Sequence, residues 1–113
     1  MVLAEQRAWP RTAEVLRQAS DCLQGAELAY TKEIEDIRAS HDPPERQAKK
    51  IARREQYIAK GRRYLATSWF DIAVAYYNLS KPAEARQYAE KVIDDEQFGD
   101  RAKEIITRLA KSP

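Results

Sequence analysis

Ile51, Ile58, Leu65, Ile72 and Leu79 recur at intervals of seven residues, and Ala52, Ala59, Ala66 and Ala73 follow the first four of them directly. A seven-residue interval returns a side chain to the same stripe of an α-helix, and large next to small makes a seam that a second helix can approach closely. A strand, whose faces alternate every second residue, has no use for this pattern. The register continues through Lys60-Gly61-Arg62-Arg63, so the spacing predicts one helix from about 45 to 79, with a break at Gly61 as the alternative.

Upstream, Leu16, Leu23, Tyr30 and Ile37 keep the same interval, which predicts a helix from about Pro10–Thr12 to Ala39. The connection Ser40-His41-Asp42-Pro43-Pro44-Glu45 is short. In it Asp42 is expected to cap the second helix, with Pro43 at the first position and Glu45 completing a capping box. A short connection folds two helices back antiparallel. Matching the stripes pairs Ile37 with Ile51, Tyr30 with Ile58, Leu23 with Leu65 and Leu16 with Ile72. The same register brings Glu33, Glu35 and Asp36 towards Lys49, Lys50, Arg53 and Arg54. A third helix is expected from Pro82 to near Asp94, burying Ala85, Tyr88, Ala89 and Val92. A fourth runs from about Phe98 to Lys111, with Ala102, Ile105, Ile106 and Leu109 on one side. Asp94-Asp95-Glu96 places negative charge where it favours the start of that fourth helix. The fold class is therefore all-α with four main helices in one domain: a hairpin over 10–63, a helix pair over 64–99 and a capping helix over 98–111.

Several function classes drop out. Cys22 is the only cysteine, which rules out an intrachain disulfide and argues against a cysteine metal site; beside Leu23 it reads as a buried, unreactive thiol. His41, the only histidine, falls in a connecting loop and reads as a solvated turn residue, because Ser40-His41-Asp42 in sequence is not triad geometry. Glu33, Glu35 and Asp36 do not make an acid cluster, because Glu35 points away from Glu33 on a helix. No phosphate-binding glycine loop or EF-hand pattern occurs. No enzyme site, cofactor or small-molecule substrate is expected. The start MVLAEQRAWP is not a signal peptide, and the apolar run 64–79 falls short of the ~20 residues a bilayer requires. A soluble chain, cytoplasmic by default, is expected, with a removed leader left open.

Residues 69–79, WFDIAVAYYNL, carry one charge, Asp71, and are apolar almost all the way round. Trp69, Ile72, Ala73 and Tyr76 match, without a gap, the Trp-x-x-Leu-Gly-x-x-Tyr pattern of a tetratricopeptide repeat, and Ala85 matches the small residue of its second helix. Ala89 replaces the usual aromatic and Gln97 the usual proline. Residues 66–99 thus resemble one such repeat, under a third of the chain, with residues 10–60 as a divergent hairpin supplying the neighbour that a lone repeat lacks.

The resemblance implies a non-catalytic protein-interaction or scaffold module. In that family the corresponding face of the first helix lines a groove that holds a peptide. Carried over, it makes Thr67, Phe70, Val74, Tyr77 and Asn78 the contact surface for a protein, a peptide or a second copy of the chain. These residue types do not form a carboxylate clamp. The competing reading is that the N-terminal arm, with Leu3 and Trp9, or the first helix simply covers Phe70, Val74 and Tyr77. A second class of function rests on charge: residues 45–63 hold 8 basic and 2 acidic groups in a chain of net charge +2. Arg46, Lys49, Lys50, Arg53 and Arg54 are the candidates there for nucleic acid or an anionic membrane, against the plainer reading of a salt-bridged, solvated helix. A third possibility is a self-associating structural subunit.

Overall fold

The computed structural model describes the backbone of residues 2–111 and the side chains of residues 9–111. These form four helices: α1 (Val2–Arg38), α2 (Pro44–Asn78), α3 (Pro82–Lys91) and α4 (Gly99–Lys111). Among the described residues there is no strand. α2 is continuous through Gly61. The ~1 kcal/mol that glycine costs a helix relative to alanine is too little to break one held along its whole seam.

Two expected boundaries are corrected. α1 begins well before Pro10, which lies inside it; Trp9, Ala13 and Leu16 pack into a core cluster, and that burial offsets the backbone hydrogen bond the proline cannot make. Asp42 does not cap α2. Its carboxylate accepts a 2.7 Å hydrogen bond from Lys50 Nζ, while the Pro43 carbonyl accepts the first helical bond from the Gln47 amide and the Gln47 side chain reaches the Ser40 carbonyl. The Lys50 bond is also what holds the Asp42 carboxyl below its ordinary pKa. That contribution to stability is present above the ordinary aspartate range and is lost as pH falls through the lowered value.

The chain divides into two compact units, residues 21–65 and residues 1–20 with 66–113. The first is the hairpin of α1 and α2. Tyr30 and Tyr57 lie with ring centroids 5.4 Å apart, within one residue of the expected Tyr30–Ile58 pairing. Arg62 Nε donates to Glu27 at 2.6 Å, and Arg54 stands 4.0 Å from Glu33. Of the three expected acidic partners only Glu33 is so placed; Glu35 and Asp36 are exposed. Ile34 and Leu65 are buried, whereas Leu23, Tyr30, Ile37, Ile51 and Ile58 are half-buried, because two helices cover only the facing stripe of each other. Cys22 is exposed; one residue before Leu23 is about 100° round the helix, enough to leave the seam.

The second unit contains two clusters. Ile72, Ala75 and Tyr76 of α2 gather with Ala13 and Ala85, and Trp9, Leu16 and Leu79 pack against them. Ala73 and Phe70 gather with Ala89, Val92, Phe98 and Ala102, joined by Ile105 and Ile106. α3 therefore lies against α2 through small side chains on both, as the sequence predicts. Ser20 and Ser68, which the antiparallel register sets opposite each other, are both buried, and the Ser20 hydroxyl is satisfied by the Arg17 carbonyl at 2.8 Å.

The connections fix where α3 and α4 start. α2 ends in a Schellman arrangement: Ser80 N–H donates to the Tyr77 carbonyl and Lys81 N–H to the Tyr76 carbonyl, with Ser80 at φ 58°. The Asp95 carboxylate accepts 2.9 Å bonds from the Gln97 and Phe98 amides, which closes the turn that leads into α4. At Gly99 a Cβ would stand 2.7 Å from the Ile93 carbonyl oxygen, which leaves space for hydrogen only.

Ser80→Gly relieves a left-handed conformation that costs an L-residue about 1–2 kcal/mol, partly offset by glycine's freedom in the unfolded chain. It should raise Tm by roughly 2–6 °C. Gly99→Ala forces backbone apart and should lower stability by about 1–3 kcal/mol. Thermal unfolding followed by circular dichroism measures both.

Candidate functional site

The face predicted to hold a partner is part of a groove between α2 and α4. Phe70, Val74 and Tyr77 line it from α2; Arg101, Glu104, Ile105 and Arg108 line it from α4, around a volume of ≈ 270 Å³. Phe70 is buried and stacks on Phe98, centroids 4.8 Å apart, so it forms the floor. Val74 is half-buried and Tyr77 is 37% exposed, so these two are what a partner could touch. Thr67 is half-buried and Asn78 exposed; the Asn78 amide is turned back onto the Val74 carbonyl at 2.8 Å. Phe98 and, on α4, Ile105 stand beside this face, while Trp9 packs against the other cluster, the one that holds Ile72. Leu3 lies outside the described side chains.

The rim of the groove is charged. Arg108 holds Glu104 at 2.7 Å, and Arg101, one turn earlier on α4, is exposed and forms no ion pair among the described residues. Of the candidates read from the sequence, Phe70, Val74 and Tyr77 line this groove and Thr67 and Asn78 do not; the α4 residues were not among them. The available signal was α4's amphipathic pattern; what one chain's spacing does not carry is which side of α2 that pattern meets. On the same helix, burial raises the pKa of Asp71, which disfavours its ionised form in the folded chain.

The basic candidates lie on the hairpin. Lys50 is tied to Asp42 and Arg54 faces Glu33. Arg46, Lys49 and Arg53 are exposed and form no ion pair among the described residues. Lys60 stands 6.0 Å over the Tyr64 ring. Exposed pairs of this kind contribute about 0–1 kcal/mol each, so they set register more than stability.

Among the described residues no group of three or more His, Cys, Asp or Glu side chains could hold a metal ion, and no helix is long and apolar enough to cross a membrane. His41 is exposed in the α1–α2 connection. Compared with known proteins, the chain matches no family model, and no curated protein and no solved structure matches it.

The two aromatic positions in the groove should separate cleanly. Phe70→Ala removes a buried ring and should cost about 3–5 kcal/mol. Tyr77→Ala, at a partly exposed position, should stay within about 1 kcal/mol. Urea unfolding of both variants reads the difference.

Proposed function

We propose that the chain is a non-catalytic protein-interaction module, built like a tetratricopeptide helix pair with a capping helix, and that the α2–α4 groove takes an amphipathic peptide or helix. One observation carries the reading: an open apolar groove with Phe70, Val74, Tyr77 and Ile105 inside it and Arg101 on its rim. Its apolar interior gives a partner's anchor residues somewhere to leave water. Arg101 favours a carboxylate next to that anchor. The small residues Ala73, Ala85 and Ala89, all fully buried, allow α3 to approach α2 closely. The half-exposed aromatic edge of Tyr77 is of the type enriched in interface hot spots.

Panning a random peptide library on the immobilised full chain tests this. Enriched peptides should carry apolar or aromatic anchors three to four residues apart with Asp or Glu alongside. Val74→Arg and Tyr77→Ala should each reduce their affinity by roughly tenfold or more, equivalent to about 1.4 kcal/mol, with helicity unchanged. Failure to enrich any peptide, or enriched peptides indifferent to both variants, contradicts the reading.

A further inference from the structure

The hairpin carries a surface that the groove reading leaves unused. At about 100° per residue, Arg46, Lys49, Lys50, Arg53, Tyr57, Lys60, Gly61 and Tyr64 fall within one third of the circumference of α2, next to the stripe of Ile51, Ile58 and Leu65 that meets α1. Glu55 is the only carboxylate on α2 between Arg46 and Tyr64, and it lies half a turn from the middle of this face. Tyr57 and Tyr64 are 47% and 56% exposed. Their place on the helical circle, beside the seam rather than in it, holds these rings out of a core.

Between the two tyrosines the surface is concave. Tyr57, Gly61 and Tyr64 border a depression of ≈ 220 Å³ whose other wall includes Leu23, Ala26 and Tyr30 of α1. Gly61 has nothing within 4 Å of where a Cβ would stand, so the helix backbone lies open at the bottom of the slot. The Tyr57 ring is steadied by Tyr30 at 5.4 Å and the Tyr64 ring lies under the Lys60 ammonium. A row of cations beside propped, exposed aromatic rings is the arrangement that lets a flexible polyanion place phosphates on the charges and planar bases on the rings.

We propose that this face of α2 binds single-stranded nucleic acid, with phosphates on Arg46, Lys49, Arg53 and Lys60 and a base stacked at the Tyr57–Gly61–Tyr64 slot. From Arg46 to Lys60 the helix rises about 21 Å, a span that a short single strand of several nucleotides covers. An anionic membrane fits less well. A helix lies in a bilayer surface by burying its apolar stripe, and the apolar stripe of α2 here is occupied by α1. A duplex also fits less well, because it offers no unstacked base to the tyrosines.

Fluorescence anisotropy of the full chain with a short labelled single strand of mixed sequence decides the matter. Binding should appear at low salt and weaken with a log–log slope of about −3, at roughly −0.7 per neutralised phosphate. Arg53→Gln with Lys60→Gln should weaken binding and flatten the slope by about 1.4. Tyr57→Ala with Tyr64→Ala should leave the slope unchanged and lose roughly ten- to a hundredfold in affinity, and Gly61→Leu, which fills the slot while keeping the helix, should lose affinity in the same way. Tyr77→Ala, in the α2–α4 groove, should bind the strand like the parent chain, which keeps this test separate from the peptide test. No binding at low salt overturns the proposal. So does equal or tighter binding to a duplex or to phosphatidylserine vesicles, or affinity unaffected by the tyrosine and Gly61→Leu variants.

Discussion

The structure depends on one contact, the antiparallel seam between α1 and α2. On α2 it consists of large aliphatic residues at seven-residue intervals, with small residues beside them; on α1 Leu16, Leu23, Tyr30 and Ile37 answer in the reverse order. Small residues on both sides, Ala13 and Ser20 on one helix and Ser68 and Ala75 on the other, are all buried. They let the backbones come close enough for the larger side chains to interdigitate, and dispersion at such contacts falls off steeply with separation. The stripe is extended along nearly the whole of α2: within residues 21–65 most of it is half-buried in the hairpin, and within the unit of residues 1–20 and 66–113 Ile72 is fully buried.

What changes along the seam is how many helices share it. In residues 21–65 there are two, so a flank of each stays in water and Tyr57 and Tyr64 are exposed. In the unit of residues 1–20 and 66–113, α3 and α4 add a second layer, and Ile72, Ala73 and Ala75 become inaccessible to solvent. An α2 segment apolar nearly all the way round is accommodated in this way: Ile72 and Tyr76 belong to one cluster, Ala73 and Phe70 to another. The apolar surface left over, Val74 and Tyr77, is small. It forms a groove only because Ile105 and the α4 arginines stand beside it.

The helices, their order and the hairpin register were legible in the sequence because all three follow from local periodicity and a short connection. Tyr30 meeting Tyr57, one position from its expected partner, shows how far spacing alone reaches. The start of α1 was not legible, since Pro10 is a strong local signal that tertiary packing of Trp9 and Ala13 overrides. The capping role assigned to Asp42 failed because a long lysine nearly two helix turns inside α2 competes for the same carboxylate. Cys22 was misplaced by one position on the helical circle, which is enough to exchange core for solvent. The α4 half of the groove lay beyond reach for a different reason: it joins residues some thirty positions apart through two turns, and the turn geometry rests on details such as Ser80 at positive φ and the Ile93–Gly99 approach.

Disulfide trapping across the seam is the most direct test of this account. In a Cys22→Ser background, Ala13→Cys with Ala75→Cys should cross-link under mild oxidation, since both alanines are buried in the same cluster. Ala13→Cys with Ser68→Cys, one heptad out of register, should not. Cross-linking of the second pair in preference to the first would show that α1 and α2 meet elsewhere in this unit, and the register argued for the seam would be wrong.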